Sequence, residues 1–153
     1  MRAEHINPFI HAMVNVLKTM ASIQAKPDKP YLKKDDTATG DVSSIVGLTG
    51  IPAGSFSLSF EKKCILKIAS NMFMEEVTEL NSYTVDAVGE LANMVSGQAR
   101  MKLEANGYLC NGAIPTVARG EGHQLRHLTD GPKIAIPFTT PDGKFSMEVC
   151  FER

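Results

Sequence analysis

Three stretches of the chain repeat apolar residues at a helical period, and most of what remains alternates or is broken by turn formers. After Asn7 and Pro8, an N-cap and first-turn pair, Phe9, Ile10, Met13, Val16, Leu17 and Met20 mark a stripe running to about Ile23, with His11, Asn15, Lys18 and Ser22 on the wet face. Cys64, Ile65, Ile68, Ala69 and Met72 mark a second stripe between Lys62 and Phe73. The third and longest runs from Thr84 to Gly107. There Val88, Leu91, Ala92, Val95, Ala99 and Leu103 share one side, and Asp86, Glu90, Asn93, Gly97, Arg100 and Glu104 share the other. Asn81 or Ser82 supplies its N-cap and Gly107 a residue able to take positive φ past its end.

Between the helices the period changes. Ser43–Ile51 and Ser55–Glu61 read as a hairpin joined through Pro52, Ala53 and Gly54, with Phe56, Leu58 and Phe60 in alternation. Tyr108–Arg119, Pro132–Thr139 and Lys144–Glu152 read as three more strands, the last two joined by a turn at Thr140, Pro141, Asp142 and Gly143. Ala25–Asp41, rich in charge and Pro, reads as an exposed connection holding one short strand near Tyr31–Lys34, and Met74–Leu80 as a short acidic link. A helix followed by three strand signals thus occurs twice, from Asn7 and from Asn81, with an extra helix between. The expected fold is α/β (α+β), with internally duplicated helix-plus-three-strand units forming an antiparallel-rich sheet covered by helices. Residues 1–153 are expected to form a single domain. Overlaying the copies sets Asn7, His11 and Val14 against Asp86, Glu90 and Asn93, which implies one working site per chain; a coincidental repetition is the alternative.

Composition narrows the function classes. A formal charge of −1 gives no global attraction for nucleic acid or anionic membrane, and 43% apolar residues is usual for a globular chain. No apolar run approaches the ~18 residues of a membrane span, and the first twenty residues do not read as a signal peptide, so a cytoplasmic location is expected. Cys64, Cys110 and Cys150 are odd in number and widely spaced, as reduced, packed thiols would be; nothing local pairs Cys110 with a base. His123 and His127 have the i, i+4 spacing of a helical metal pair but lie among Gly120, Gly122 and Gly131, so an irregular segment is expected and no metal site is assigned. Gly47, Gly50 and Gly54 lack the Gly-Lys-Ser/Thr of a phosphate loop.

The candidate chemistry lies on the third helix. Glu90 and Asn93 stand three residues apart, with Cβ atoms about 5–6 Å from one another. A carboxylate that only accepts hydrogen bonds beside a carboxamide that both donates and accepts can grip a cation and orient a water; an ordinary solvated face fits the same spacing. Gly97 leaves a shallow spot one turn on. Met94 and Met101 fit either packing at the edge of the core or a flexible thioether ledge for a partner.

The longer string DAVGELANMVSG, Asp86 to Gly97, resembles the signature of the CheC/CheX/FliY family of chemotaxis phosphatases. That pattern is an acidic or hydroxyl residue, three residues, Glu, two residues, Asn, then a proline further along, matched here by Asp86, Glu90, Asn93 and Pro115. A weaker likeness runs from NPFIHAM to TTPDGKFSMEVCFE, and a single motif per chain agrees with what the CheX branch implies. The resemblance implies hydrolysis of the aspartyl phosphate of a CheY-like receiver domain. The receiver itself would supply the phosphoryl group, a Mg²⁺ and a lysine, so the enzyme would need no cofactor of its own. Asn93 would hold the attacking water in line and Glu90 would pair with the receiver's lysine. Asp86, Met94, Gly97 and Met101 would line the docking face, with Asp86 either touching the partner or favouring the helix dipole. A homodimer is implied as well. The competing class is a receiver-binding or flagellar-switch module that keeps the surface without the hydrolysis.

Overall fold

The computed structural model describes residues 3–152. In chain order the elements are α1 (Ala3–Ala21), β1 (Lys26–Pro27), β2 (Tyr31–Lys33), β3 (Val42–Ile51), β4 (Gly54–Phe60), α2 (Lys62–Phe73), α3 (Ser82–Ala105), β5 (Leu109–Gly112), β6 (Thr116–Arg119), β7 (Lys133–Thr140) and β8 (Gly143–Phe151). One antiparallel sheet contains every strand, in the order β1-β7-β8-β4-β3-β5, with β2 also on β7 and β6 also on β3.

The duplicated pattern is visible in this order. Strands β4 and β8 pair antiparallel at the centre, Leu58 opposite Met147, and each is flanked by its hairpin partner, β3 or β7. The short strands after each long helix then cross over: β1 and β2 pair with β7, and β5 and β6 pair with β3. Each half therefore completes the other half's sheet.

Period-two alternation sorts the strands' side chains. Val42, Val46, Leu48, Phe56, Leu58, Phe60, Met147 and Val149 are buried in one core with Phe9, Met13, Val16 and Leu17 of α1 and Val88, Leu91, Val95 and Leu103 of α3. Removing an apolar side chain of this size from water contributes roughly 1.5–3 kcal/mol, which holds α3 on the sheet despite its polar outer stripe. The other sheet face carries Ser43, Ser55, Ser57, Ser59, Ser146 and Glu148, all buried as well. Two irregular segments cover it. His123 Nε2 meets Ser43 Oγ at 2.7 Å and His127 Nδ1 meets Ser55 Oγ at 2.6 Å, while the Gly40 amide donates to Ser59 Oγ at 2.9 Å.

The boundaries of α2 and the hairpin β3–β4 fall where the pattern sets them. Three expectations need correction. Helix α1 starts at Ala3, with Pro8 inside it; edge contacts of His5 with Tyr108 and Phe151, and a 2.6 Å bond from Tyr108 Oη to Glu4, anchor the turn that the proline's missing N–H weakens. The strand expected over Tyr108–Arg119 is two, β5 and β6, because the chain bends at residues 113–115. The stretch Ala25–Asp41 is only partly exposed: it adds a two-residue strand, and its Ala25, Lys33 and Ala38 are buried. His123 and His127 lie in an irregular segment held to the serine face. The cysteines are free thiols, two buried and Cys110 half-buried, and burial pushes the Cys64 thiol up to about 11.

Candidate functional site

Helix α3 is built to hold a rigid outer surface. Asn81 Oδ1 accepts the Tyr83 amide at 3.0 Å, Thr84 Oγ1 donates to the Asn81 carbonyl at 2.7 Å, and Gly107, at φ 92°, closes the far end. Val88, Leu91, Ala92, Val95, Ala99 and Leu103 are all buried beneath it. A helix locked along its inner face fixes the direction of the side chains on its outer face.

That outer face carries Asp86, Glu90, Asn93 and Glu104, all exposed. None of the three carboxylates enters an ion pair among the described residues. Asp86 lies beyond the first helical turn, which holds no acidic residue, so the helix dipole acts on it weakly. Gly97 is half-buried, and a Cβ there would meet nothing within 4 Å, so the helix surface is open at that point. Met94 packs against the edge of the core, whereas Met101 is 72% exposed, so core-edge packing explains the first methionine and not the second.

Two neighbouring elements wall the stripe. Helix α1 runs antiparallel beside α3, Asn15 Nδ2 donating to Gln98 Oε1 at 3.0 Å, and a cleft of about 300 Å³ between them is lined by Pro8, His11, Asn15, Gln98 and Lys102. On the other flank β5 and β6 press close. Gly89 faces Val117, and Gly112 sits so near Ser96 and Arg100 that an added Cβ would lie 3.1 Å from both side chains. Arg100 Nε donates to Ser96 Oγ at 3.3 Å, which fixes the guanidinium along this flank. The bend between β5 and β6 presents Ile114, 90% exposed, beside the half-buried Pro115. Glu90 and Asn93 therefore stand on a solvent-exposed helical ridge between these two flanks. A ridge of this kind suits contact with a macromolecular surface better than enclosure of a small molecule.

Periodicity places the outward stripe of α3 correctly but is silent on its walls. Ile114 and the α1 residues reach the ridge through contacts distant in the chain, and no local spacing marks them. No group of three or more His, Cys, Asp or Glu side chains suited to a metal ion exists among the described residues. No helix there is long and apolar enough to cross a membrane.

Comparison with known proteins gives one consistent answer. The family model for chemotaxis phosphatase CheX matches residues 42–139. The CheY-P phosphatase CheX of Thermotoga maritima is 29% identical over 127 residues, 82% of each chain. The chemotaxis protein CheX of Desulfovibrio desulfuricans is 46% identical and superposes with a TM-score of 0.90 over 97% of this chain and 99% of its own. A chain of the CheX–CheY–BeF3–Mg²⁺ complex from Borrelia burgdorferi is 27% identical, with a TM-score of 0.79 over 99% of this chain and 100% of its own. An antiparallel sheet completed by exchange between two halves and covered by helices thus recurs together with a matching sequence: the chain belongs to the CheX family of chemotaxis phosphatases.

Proposed function

We propose that this protein hydrolyses the aspartyl phosphate of a CheY-like receiver domain, with Asn93 and Glu90 as the working pair. The observation that carries the reading is the exposed placement of both side chains on one ridge of a capped helix, in a chain similar to a CheY-P phosphatase and to a CheX solved with CheY.

The receiver brings its own electrophile. Its phosphoryl group, bound Mg²⁺ and lysine already neutralise the charge that develops during transfer, and what such a centre lacks is a water held in line. Asn93 is suited to that task. Its carboxamide oxygen accepts from the water while the NH₂ group donates to a phosphoryl oxygen, and positioning alone accounts for large rate factors. Glu90, one turn away, is suited to the receiver's lysine. A carboxylate acting as base on the water would sit against an anionic phosphoryl group, whereas pairing with an ammonium removes that repulsion and sets the docking register. Asp86, Gly97 and Met101 extend the docking face on either side, and Met94 braces it. Magnesium enters with the receiver, and this chain needs no cofactor of its own.

We propose also a two-fold dimer that leaves both ridges free, since a sheet must protect its edges. On one edge β5 carries the exposed Leu109, opposite the exposed Ile51 of β3, and this apolar edge is where a second copy would pair. The test of the central reading is release of inorganic phosphate from a receiver charged with acetyl phosphate. Acceleration by this protein supports it. Tight binding with no acceleration would make the chain a receiver-binding module instead.

A further inference from the structure

Toward the N-terminus of α3 the exposed stripe ends on an aromatic ledge. Tyr83 precedes Asp86 by three residues and Glu90 by seven, so it shares their face. It is 48% exposed, and its ring meets that of Phe73, 38% exposed, edge-on with centroids 5.7 Å apart. Met74, beside Phe73, is 92% exposed. None of the three belongs to the buried clusters.

The ledge is nonetheless held firmly. Helix α2 ends at Phe73 with Met74 in the left-handed region at φ 54°, its amide bonded to the Ser70 carbonyl. Ser70 Oγ accepts the Val77 amide at 2.9 Å, Asn81 caps α3, and Arg119 Nη1 donates to the Leu80 carbonyl at 2.7 Å. The link between the helices is thus tied at both ends, and the two rings are presented in a set position. Solvent-exposed rings that are ordered cost little further entropy when a partner covers them, which is why aromatics recur as interface anchors.

The geometry also fixes what size of partner can use the ledge. At about 1.5 Å per residue, Tyr83 lies roughly 15 Å along the helix from Asn93, and Tyr83 to Met101 spans roughly 27 Å. One compact domain of about 100 residues is of that width. Resting on the proposed function above, we infer that Phe73, Met74 and Tyr83 form an apolar anchor for the same receiver domain whose phosphoryl group meets Asn93, and that this anchor sets which receiver is accepted. Glu90 and Asn93 address the aspartyl phosphate and lysine, which a phosphatase of this kind meets in any receiver. Discrimination therefore has to come from surface away from the phosphoryl group, and the ledge is an ordered apolar surface continuous with the stripe.

The test is the double variant Phe73→Ser/Tyr83→Ser, assayed against a receiver carrying beryllofluoride and Mg²⁺ for affinity and a phosphorylated receiver for turnover. The Kd and KM rise at least tenfold, kcat at saturation falls less than threefold, and the unfolding midpoint stays where it was. A dye on Tyr83→Cys shifts to the blue when receiver is added. An unchanged Kd overturns the inference, as does a change in self-association with receiver affinity intact, because a second copy would then be the occupant. Asn93→Ala separates the two proposals. If it loses turnover and keeps affinity while the ledge variant behaves as wild type, the ledge falls and the site stands; if the wild-type protein neither binds nor dephosphorylates a receiver, both fall.

Discussion

The buried charge network on the far face of the sheet permits a stability prediction that can be worked through. Lys33 Nζ donates to Glu148 Oε2 at 2.6 Å and to the Thr37 carbonyl at 2.5 Å, and the Lys33 and Glu148 side chains are 5% and 1% exposed. Glu148 Oε1 lies 3.1 Å from His127 Nε2. A carboxylate only accepts, so that nitrogen carries the proton and, in the neutral ring, Nδ1 accepts from the Ser55 hydroxyl, whose oxygen in turn accepts the Leu128 amide at 3.3 Å. Three segments far apart in sequence, those of Lys33, His127 and Glu148, meet at one carboxylate, and Ser55 joins them through His127. Glu148→Ala leaves the Lys33 ammonium buried against a single carbonyl, and truncating one member of a buried pair costs about 3–5 kcal/mol. For a chain of this length that corresponds to a drop of roughly 6–20 °C in Tm. Replacing both ends, as Lys33→Met with Glu148→Leu, removes the orphaned charge and costs less than the single change.

The same network sets a pH dependence. Burial pushes the Glu148 carboxyl up, but hydrogen bonds from His127 and Lys33, with their charges, outweigh it and hold the group below its usual range. A carboxyl lowered in the folded state stabilises above its unfolded pKa of about 4.3 and loses that contribution as pH falls through the folded value. Wild-type stability measured by urea unfolding therefore falls as the pH drops below the unfolded value, and Glu148→Gln flattens that slope. Activity per folded molecule is retained in these variants, since the network lies on the sheet face opposite α3. A loss below about 1 kcal/mol for Glu148→Ala would refute the reasoning, as it would mean that water reaches Lys33.

Three further outcomes are expected. Glu90→Lys sets two ammonium groups together and weakens receiver binding at least tenfold in titration with a beryllofluoride-charged receiver; affinity unchanged with turnover lost would instead put Glu90 in the chemistry. Gly97→Ala stabilises α3 by about 0.5–1 kcal/mol in thermal unfolding, since nothing lies within 4 Å of the new Cβ, yet it raises KM because the methyl group fills the docking face. Light scattering at micromolar concentration gives a dimer, and Leu109→Lys shifts it toward monomer while the ridge on α3 stays active.

Much of the fold is legible because local pattern and tertiary demand agree. Helix α2 and the strands β3, β4, β7 and β8 have apolar periods long enough to outweigh single-residue signals, and the outward stripe of α3 follows from the same arithmetic. Where a local signal conflicts with a distant contact, the contact decides. Asn7–Pro8 is a sound N-cap pair, but Tyr108 and Phe151 hold the turn before it. The serine-rich alternation of β4 looks half-solvated, and its second face is buried only because residues without periodicity fold over it. The candidate site divides in the same way. Glu90, Asn93 and Arg100 sit on the regular helix and are placed by spacing, whereas Ile114 and the Phe73–Tyr83 contact reach the ridge through turns, caps and strand register.

The measurement closest to the central claim compares phosphate release from a phosphorylated receiver by the wild-type protein and by Asn93→Ala, with thermal unfolding and receiver affinity recorded for both. Asn93 is exposed and belongs to no buried cluster, so the variant keeps its unfolding midpoint and its affinity. Loss of the group that positions the water lowers the release rate about a hundredfold or more. Wild-type turnover in Asn93→Ala, or no acceleration by the wild-type protein, would contradict the account.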